Sequence, residues 1–271
     1  MTIFYFTGTG NSLAVAKRIG GPVTSDGSYS PMHPGTLISI PQVINSADRH
    51  YKDDVIGVVF PVYFATAPDM VLDFLARAKF ECDYSFIIST SGGTKGASLL
   101  IAKRVLKQSG HQFDYMDDVV TVDNSMSMAS IEAQIARKAD SKFAPKLEEI
   151  ANNIAERKQN TEKKAGAALS MFSFVVSKLP NYENVPKKFY IDDKCNGCKT
   201  CTRVCPAGNI QVSDQVKFGK DCTGCFACLH LCPKNAIHRK CERSAARWRH
   251  PDVSLNEIIA ANNRLNEMED V

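Results

Sequence analysis

Two rows of cysteines constrain this chain more than any other feature of its sequence. The rows CNGCKTCTRVCP and CTGCFACLHLCP share the spacing C-x2-C-x2-C-x3-C-P, and matching cysteines lie 27 residues apart. Their members are Cys195, Cys198, Cys201, Cys205, Cys222, Cys225, Cys228 and Cys232. The rows hold all but two of the ten cysteines among the 271 residues.

This spacing predicts two [4Fe–4S] clusters with crossed ligands. Three thiolates at two-residue gaps can surround three corners of one iron–sulfur cube, and the fourth, carried past the turn, can reach a neighbouring cube. The predicted ligands of the first cluster are Cys195, Cys198, Cys201 and Cys232. Those of the second are Cys205, Cys222, Cys225 and Cys228.

Structural zinc and disulfides are the alternatives to this interpretation. A strand predicted to begin at Thr2 leaves no room for a signal peptide, so we expect a cytoplasmic protein, in which cysteine rows indicate metal or redox chemistry. Four-cysteine zinc sites usually pair two distant C-x2-C motifs. Residues 188–241 resemble the bacterial 2[4Fe–4S] ferredoxin domain. Cys82 and Cys241 are predicted to be ordinary thiols.

A second motif, FTGTGNS at residues 6–12, lies between an apolar strand and an apolar helix. A Walker loop would need a Lys here, and a dinucleotide fingerprint would need a third Gly where the chain has Leu13. A hydroxyl-rich loop that binds a monoester phosphate at a helix N-terminus remains. The alternative is a Gly-rich turn with no ligand.

The residues Thr7 to Ser12 resemble the T/S-x-T-G-x-T/S loop of flavodoxins, and the similarity extends over residues 1–158. It implies FMN at the carboxyl ends of the strands. It also implies an aromatic residue beside the flavin in the 61–68 loop and backbone amides from the 90–96 loop. The implied FMN-binding residues are Thr7, Gly8, Thr9, Gly10, Asn11, Ser12, Pro61, Val62, Tyr63, Phe64, Thr90, Ser91, Gly92, Gly93 and Gly96. The 123–128 segment is a weaker candidate.

Apolar periodicity predicts alternating strands and helices in the first 158 residues. Strands are predicted at 2–7, 36–40, 54–62, 84–90 and 119–122, and helices at 11–19, 67–79, 96–110 and 130–158, the last with a kink or break at Pro145. This order favours an α/β fold. The flavodoxin resemblance implies a doubly wound, five-stranded parallel sheet in the order 2-1-3-4-5.

The predicted domain organisation has four parts. They are a flavodoxin-like FMN-binding domain (1–158), a partly helical connector (159–187), a small α+β ferredoxin-like domain (188–241) and a C-terminal helical extension (242–271).

Positive charge is concentrated in one part of the chain. Residues 187–249 carry 13 Lys and Arg against 5 Asp and Glu, whereas residues 1–186 carry 19 of each. We expect redox partner proteins, with an acidic ferredoxin as one that could dock on this segment. Sparse aromatics and the lack of a recognition motif disfavour nucleic acid. No apolar run is long enough to span a membrane, and a homodimer is left open.

The combined pattern resembles the flavodoxin–ferredoxin fusion proteins of anaerobes. That resemblance implies electron transfer between FMN and two [4Fe–4S] clusters. The alternatives are an FMN-dependent reductase of a small organic acceptor and a cluster-based sensor. No catalytic residue is predicted, and without a nicotinamide fingerprint direct NAD(P)H oxidation is disfavoured.

Overall fold

A computed structural model describes residues 1–21, 35–93, 95–126, 129–139, 143–160, 171–172, 175 and 185–264. Most of the predicted connector, residues 127–128 of the weak flavin candidate and the chain after 264 lie outside the described residues.

A parallel five-stranded sheet organises the first 120 residues. Its strands are β1 (Thr2–Tyr5), β2 (Thr36–Ser39), β4 (Val55–Pro61), β6 (Tyr84–Ser91) and β7 (Tyr115–Val120). Their spatial order is β2-β1-β4-β6-β7, which is 2-1-3-4-5 when only the strands of this sheet are counted. The predicted fold class is therefore confirmed. β6 is buried along its full length, as expected of a strand covered on both faces.

Helices cover the sheet. They are α1 (Asn11–Gly20), α2 (Ile40–Val43), α3 (Asp69–Arg77), α4 (Ser98–Gln108), α5 (Ile131–Ala139) and α6 (Phe143–Ala155). Because the connections are parallel crossovers, the loops that follow β1, β4, β6 and β7 all lie at the carboxyl edge of the sheet. This edge therefore collects the 7–12 loop, the 61–68 loop, the 90–96 loop and the segment from residue 121.

The structure differs from the sequence predictions in three places. The last strand begins at Tyr115, earlier than predicted, because the polar pair Asp117 and Asp118 belongs to it. Asp118 accepts hydrogen bonds from Ser89 (2.7 Å) and Ser91 (2.9 Å) on β6, and these bonds make an inward carboxylate acceptable. Burial raises its pKa.

The predicted helix 130–158 is two helices. Pro145 is the third residue of α6, in the first turn, where a proline removes no intrahelical hydrogen bond. The short strands β3 (His50–Lys52) and β5 (Lys79–Glu81) were not predicted. They form a separate parallel pair, and three residues are too few for a periodicity signal.

The C-terminal part has the symmetry of its cysteine rows. β8 (Phe189–Ile191) pairs antiparallel with β11 (Ile237–Arg239), and β9 (Ile210–Val212) with β10 (Val216–Phe218). The one-turn helices α7 (Thr200–Arg203) and α8 (Ala227–His230) each contain the third cysteine of a row. The residues before them, Lys199 and Phe226, have φ of 58° and 57°. The sequence repeat is therefore also a backbone repeat.

The two halves share one hydrophobic core. Leu231 of the second cysteine row and Val253 and Ile258 of the C-terminal extension pack in the same cluster as the sheet residues Phe4 and Val58. The last described helix, α9 (Leu255–Asn262), lies against α2. In the described ranges, no helix combines the length and the apolar content needed to cross a bilayer.

Candidate functional site

The structure brings together the first predicted cysteine quartet. Cys195, Cys198 and Cys201 of the first row and Cys232 of the second row surround one cavity of about 20 Å³, with Val212 among its other lining residues. Two of these thiols, those of Cys195 and Cys198, belong to exposed residues.

The second quartet is more deeply placed. Cys205, Cys225 and Cys228 are buried and Cys222 is half-buried. Burial raises the pKa of Cys225 and of Cys228, and the nearby Cys205 and Cys222 raise both further. Each row thus contributes three cysteines to one group and its fourth to the other.

Backbone amides point at several of the sulfurs. Asn209 N–H donates to Cys205 Sγ (3.3 Å), and at the corresponding position of the repeat Ala236 N–H donates to Cys232 Sγ (3.4 Å). Gly224 N–H donates to Cys222 Sγ (3.4 Å). Such bonds stabilise thiolate charge and help to set the potential of an iron–sulfur cluster.

Structural zinc is the alternative to clusters at these cysteines. Tetrahedral zinc at about 2.3 Å from each sulfur holds its four ligands close together. Among the residues that the structure describes, no group of three or more His, Cys, Asp or Glu is placed to hold one ion.

Burial controls the protonation of these thiols when no metal is bound. It raises the pKa of Cys201 and Cys222 to about 11 and that of Cys225 to about 12. Exposed Cys198 differs, because hydrogen bonds from Thr200 lower its pKa. Since metal binds thiolate, assembly at the buried positions must release protons.

The 7–12 loop, which was predicted to bind the FMN phosphate, is enclosed. Thr7, Thr9 and Ser12 are 1%, 2% and 1% exposed. Their hydroxyls already have partners within the protein. Thr7 Oγ1 accepts from Gly10 N–H (3.1 Å), Ser12 Oγ bonds Thr90 Oγ1 (2.8 Å), and Thr9 Oγ1 accepts from Asn124 Nδ2 (3.1 Å).

The other two predicted flavin loops pack against each other. Ala97 N–H donates to Ala65 O (2.8 Å), and the neighbouring Gly96 lies against Ala65. Tyr63 is 7% exposed and points at the 7–12 loop, whereas Phe64 is 45% exposed. Pro61, Thr90 and Ser91 are buried, and Val62 and Gly92 are half-buried. Gly93 is exposed, and a Cβ added to it would lie 3.7 Å from the side chain of Arg137.

FMN does not fit these loops in the conformation described. The cavity that Thr7, Ser12, Tyr63 and Asn124 line has a volume of about 30 Å³, room for about two waters. A pocket for a ligand of this size usually has at least about 300 Å³. The predicted residues do converge on one cavity, but the protein itself fills the space above the loop.

Sequence reasoning missed the residues that enclose the loop. Trp248 Nε1 donates to Asn11 Oδ1 (2.9 Å), and His250 N–H donates to Thr9 O (2.9 Å). Asn262 Nδ2 donates to Thr7 O (2.9 Å). The partners in each pair lie more than 230 residues apart. No local sequence pattern could pair them. Trp248, the one tryptophan of the sequence, is the residue whose type could best have indicated a buried contact.

A buried histidine joins the second cysteine row to this region. His230 Nδ1 accepts from Trp248 N–H (3.0 Å), so its Nε2 carries the proton and donates to Asn124 O (2.8 Å). Burial lowers its pKa to about 4, and the ring is neutral. His230 therefore acts as a fixed hydrogen-bonding spacer between α8, the 121–126 segment and the C-terminal extension.

Residues 187–233 match the family model for a 4Fe-4S dicluster domain. The C-terminal part thus resembles an iron–sulfur domain. An iron–sulfur domain joined to a flavodoxin-like sheet agrees with a flavodoxin–ferredoxin fusion and with electron transfer in general.

Two solved structures, each named a "putative flavoprotein", resemble the N-terminal part. The one from Bacteroides uniformis is 16% identical and has a TM-score of 0.30, with 50% of this chain and 96% of that chain covered. The one from Bacteroides eggerthii is 16% identical with a TM-score of 0.28, and 53% and 96% are covered. At these TM-scores no conclusion about function follows. The comparison with curated proteins gave no match.

Proposed function

We propose that this chain is an electron-transfer protein that holds two [4Fe–4S] clusters. Cys195, Cys198, Cys201 and Cys232 hold the first, and Cys205, Cys222, Cys225 and Cys228 hold the second. Each cluster, when bound, supplies one-electron chemistry.

The observation that carries the proposal is the crossing of the rows. Cys232 lines the cavity of the first-row cysteines, although it lies four residues beyond Cys228 of its own row. The backbone amides of Asn209 and Ala236 donate to the sulfurs of Cys205 and Cys232, and such bonds stabilise the thiolates that a cluster needs.

The crossing can be tested by Cys232→Ser in the full chain purified without oxygen. Wild type is expected to contain about eight irons and eight sulfides per chain. In the variant the first cluster should be lost or altered in its electron paramagnetic resonance signal while the second keeps its own. Cys205→Ser should have the opposite effect.

Cys241→Ser is the matched control, because this cysteine is exposed and lies outside both quartets. It should leave iron content and both signals unchanged. Zinc in place of iron in the wild type, or perturbation of only the second cluster by Cys232→Ser, would refute the assignment.

The first cluster site is the face that we propose for a redox partner. The turn from Lys194 to Lys199 is exposed, and Lys199 and Lys234 line the quartet cavity. Exposed Asp193 lies beside them, so the face is predominantly but not wholly basic. An acidic one-electron carrier fits this face best, because opposite charges favour encounter.

No electron step is assigned to FMN, because the loops that would hold it are closed. A cavity of about 610 Å³ does lie between β7 and α6, lined by Asp118, Arg137 and Lys146. Its described lining residues include none from the 7–12 loop. No observation therefore favours the flavin-dependent reductase over the carrier.

A further inference from the structure

The 7–12 loop has the sequence of a phosphate site but the surroundings of a protein interface. By hydrogen bonds or close packing, the loop contacts three separate parts of the C-terminal half. Those parts are the second cysteine row, the segment around Trp248 and helix α9.

Cys225 of the second cysteine row packs directly against the loop at Gly8. A Cβ placed on Gly8 would lie 2.9 Å from Cys225 O and 3.0 Å from Cys225 Cβ. It would also lie 2.7 Å from Tyr63 Oη. Only a glycine allows this approach, which explains Gly8 without any phosphate. In the T/S-x-T-G-x-T/S pattern, by contrast, this is a position without a required residue.

Asn124 fastens the contact. Its Nδ2 donates both to Thr9 Oγ1 (3.1 Å) and to Cys225 O (3.2 Å), and thus bridges the loop and a predicted cluster ligand. The carbonyl of Asn124 accepts from His230, two residues after Cys228. Both the side-chain amide and the backbone carbonyl of Asn124 therefore bond the segment after β7 to the second cysteine row.

The C-terminal extension covers the other side of the loop. Gly10, with φ of +98°, faces His250 and Val253, where an added Cβ would lie 3.1 Å from each Cβ. Trp248 and His250 supply the hydrogen bonds to Asn11 and Thr9. An anion at the helix N-terminus would have to displace these groups.

We propose that the 7–12 loop is the docking seat of the second cluster site, and that FMN and the docked iron–sulfur half exclude each other. This rests on the proposed function, since Cys225 is then a cluster ligand. The flavodoxin-like sheet serves as a rigid platform for the cluster rather than as a flavin carrier in this conformation.

The test uses two measurements on the full chain with its clusters intact. Wild type is titrated with FMN without oxygen, and binding is followed by equilibrium dialysis and flavin fluorescence. We expect no stoichiometric FMN while about eight irons remain bound. One FMN per chain together with both clusters would overturn the exclusion and leave the proposed function intact, whereas absence of the clusters would refute the proposed function.

Gly8→Ala provides the second measurement. The new methyl group must push on Cys225, so the signal of the second cluster should shift or its roughly four irons should be lost. The first cluster should keep its signal. Unchanged signals from both clusters would overturn the docking seat.

Gly93→Ala is the matched control. Gly93 was also predicted to bind FMN, but an added Cβ meets only Arg137, at 3.7 Å, an ordinary contact. Both cluster signals should be unchanged. If Gly8→Ala does not fold, two other results test the docking seat. They are the FMN titration of the wild type and the cluster signals of Asn124→Ala, which should change only for the second cluster.

Discussion

At the scale of single residues, one asparagine ties three parts of the chain together. Asn262 is fully buried, and its Nδ2 donates to Thr7 O (2.9 Å) and to Val204 O (3.2 Å). Val204 precedes Cys205, a predicted ligand of the second cluster. Among the described residues, the Oδ1 of Asn262 has no hydrogen-bond partner. Such a site is sensitive because two buried carbonyls depend on one amide.

We predict that Asn262→Ala lowers the free energy of unfolding by about 2 kcal/mol, since it leaves Thr7 O and Val204 O without this donor. The midpoint of anaerobic urea unfolding measures the change. Asn152→Ala, at an exposed position of α6, is the control and should stay within about 0.5 kcal/mol. Equal stability of both variants would contradict a bridging role.

At the scale of elements, helix α9 is held by its first turn. Ser254 Oγ accepts from Glu257 N–H (3.2 Å), and Glu257 Oε2 accepts from Ser254 N–H (2.7 Å), which completes a capping box. Glu257 also pairs with Lys17 of α1 at 2.7 Å. Although burial alone would raise it, these contacts lower the pKa of Glu257 to about 2.

We predict that Ser254→Ala costs about 1 kcal/mol of stability, because the helix loses its cap. Hydrogen exchange should show faster opening of α9, with the sheet unchanged. Exposed Ser213→Ala is the control. Protection of α9 equal to that of the wild type would contradict the prediction.

The same contacts predict a pH dependence. The folded pKa of Glu257, about 2, lies below its ordinary value of 4.5. Its contribution is therefore complete above about pH 4.5 and is lost as the pH falls toward 2. Glu257→Gln should remove this part of the acid sensitivity of α9, measured by hydrogen exchange; an unchanged pH profile would contradict it.

At the scale of the whole molecule, the two cluster sites differ in exposure. The second lies against the carboxyl edge of the sheet, and the first has exposed cysteines among lysines. The sheet therefore orients the pair, with one site inward and the other toward solvent. Because of this asymmetry, exposed lysines of the basic segment 187–249 surround the site that faces solvent.

We predict that Lys194→Glu combined with Lys199→Glu slows electron transfer from a reduced acidic ferredoxin roughly tenfold at low salt, because electrostatic steering is lost. Stopped-flow rates at several ionic strengths measure it, and the salt dependence should become shallower. The control is Lys79→Glu with Lys107→Glu, two exposed residues of the other half. Equal slowing by both pairs would show a nonspecific charge effect.

The sequence alone determined what depends on local spacing. Apolar runs predicted the alternating strands and helices, and the resemblance to flavodoxins implied the strand order. The cysteine rows predicted a crossed ligand set, which stays a prediction. The start of the last strand was predicted wrongly because Ser89 and Ser91 of the neighbouring strand bond Asp118, which makes this polar residue compatible with the sheet. Short elements such as β3 and β5 gave no signal.

Only the tertiary structure decided what the 7–12 loop faces. A phosphate loop and a docking seat can share the same six residues, because both need glycines, hydroxyls and a helix start. The difference lies in partners such as Cys225, Trp248 and Asn262, which lie more than 200 positions away in sequence. Contacts of that separation are set by packing in three dimensions, which has no counterpart in local periodicity.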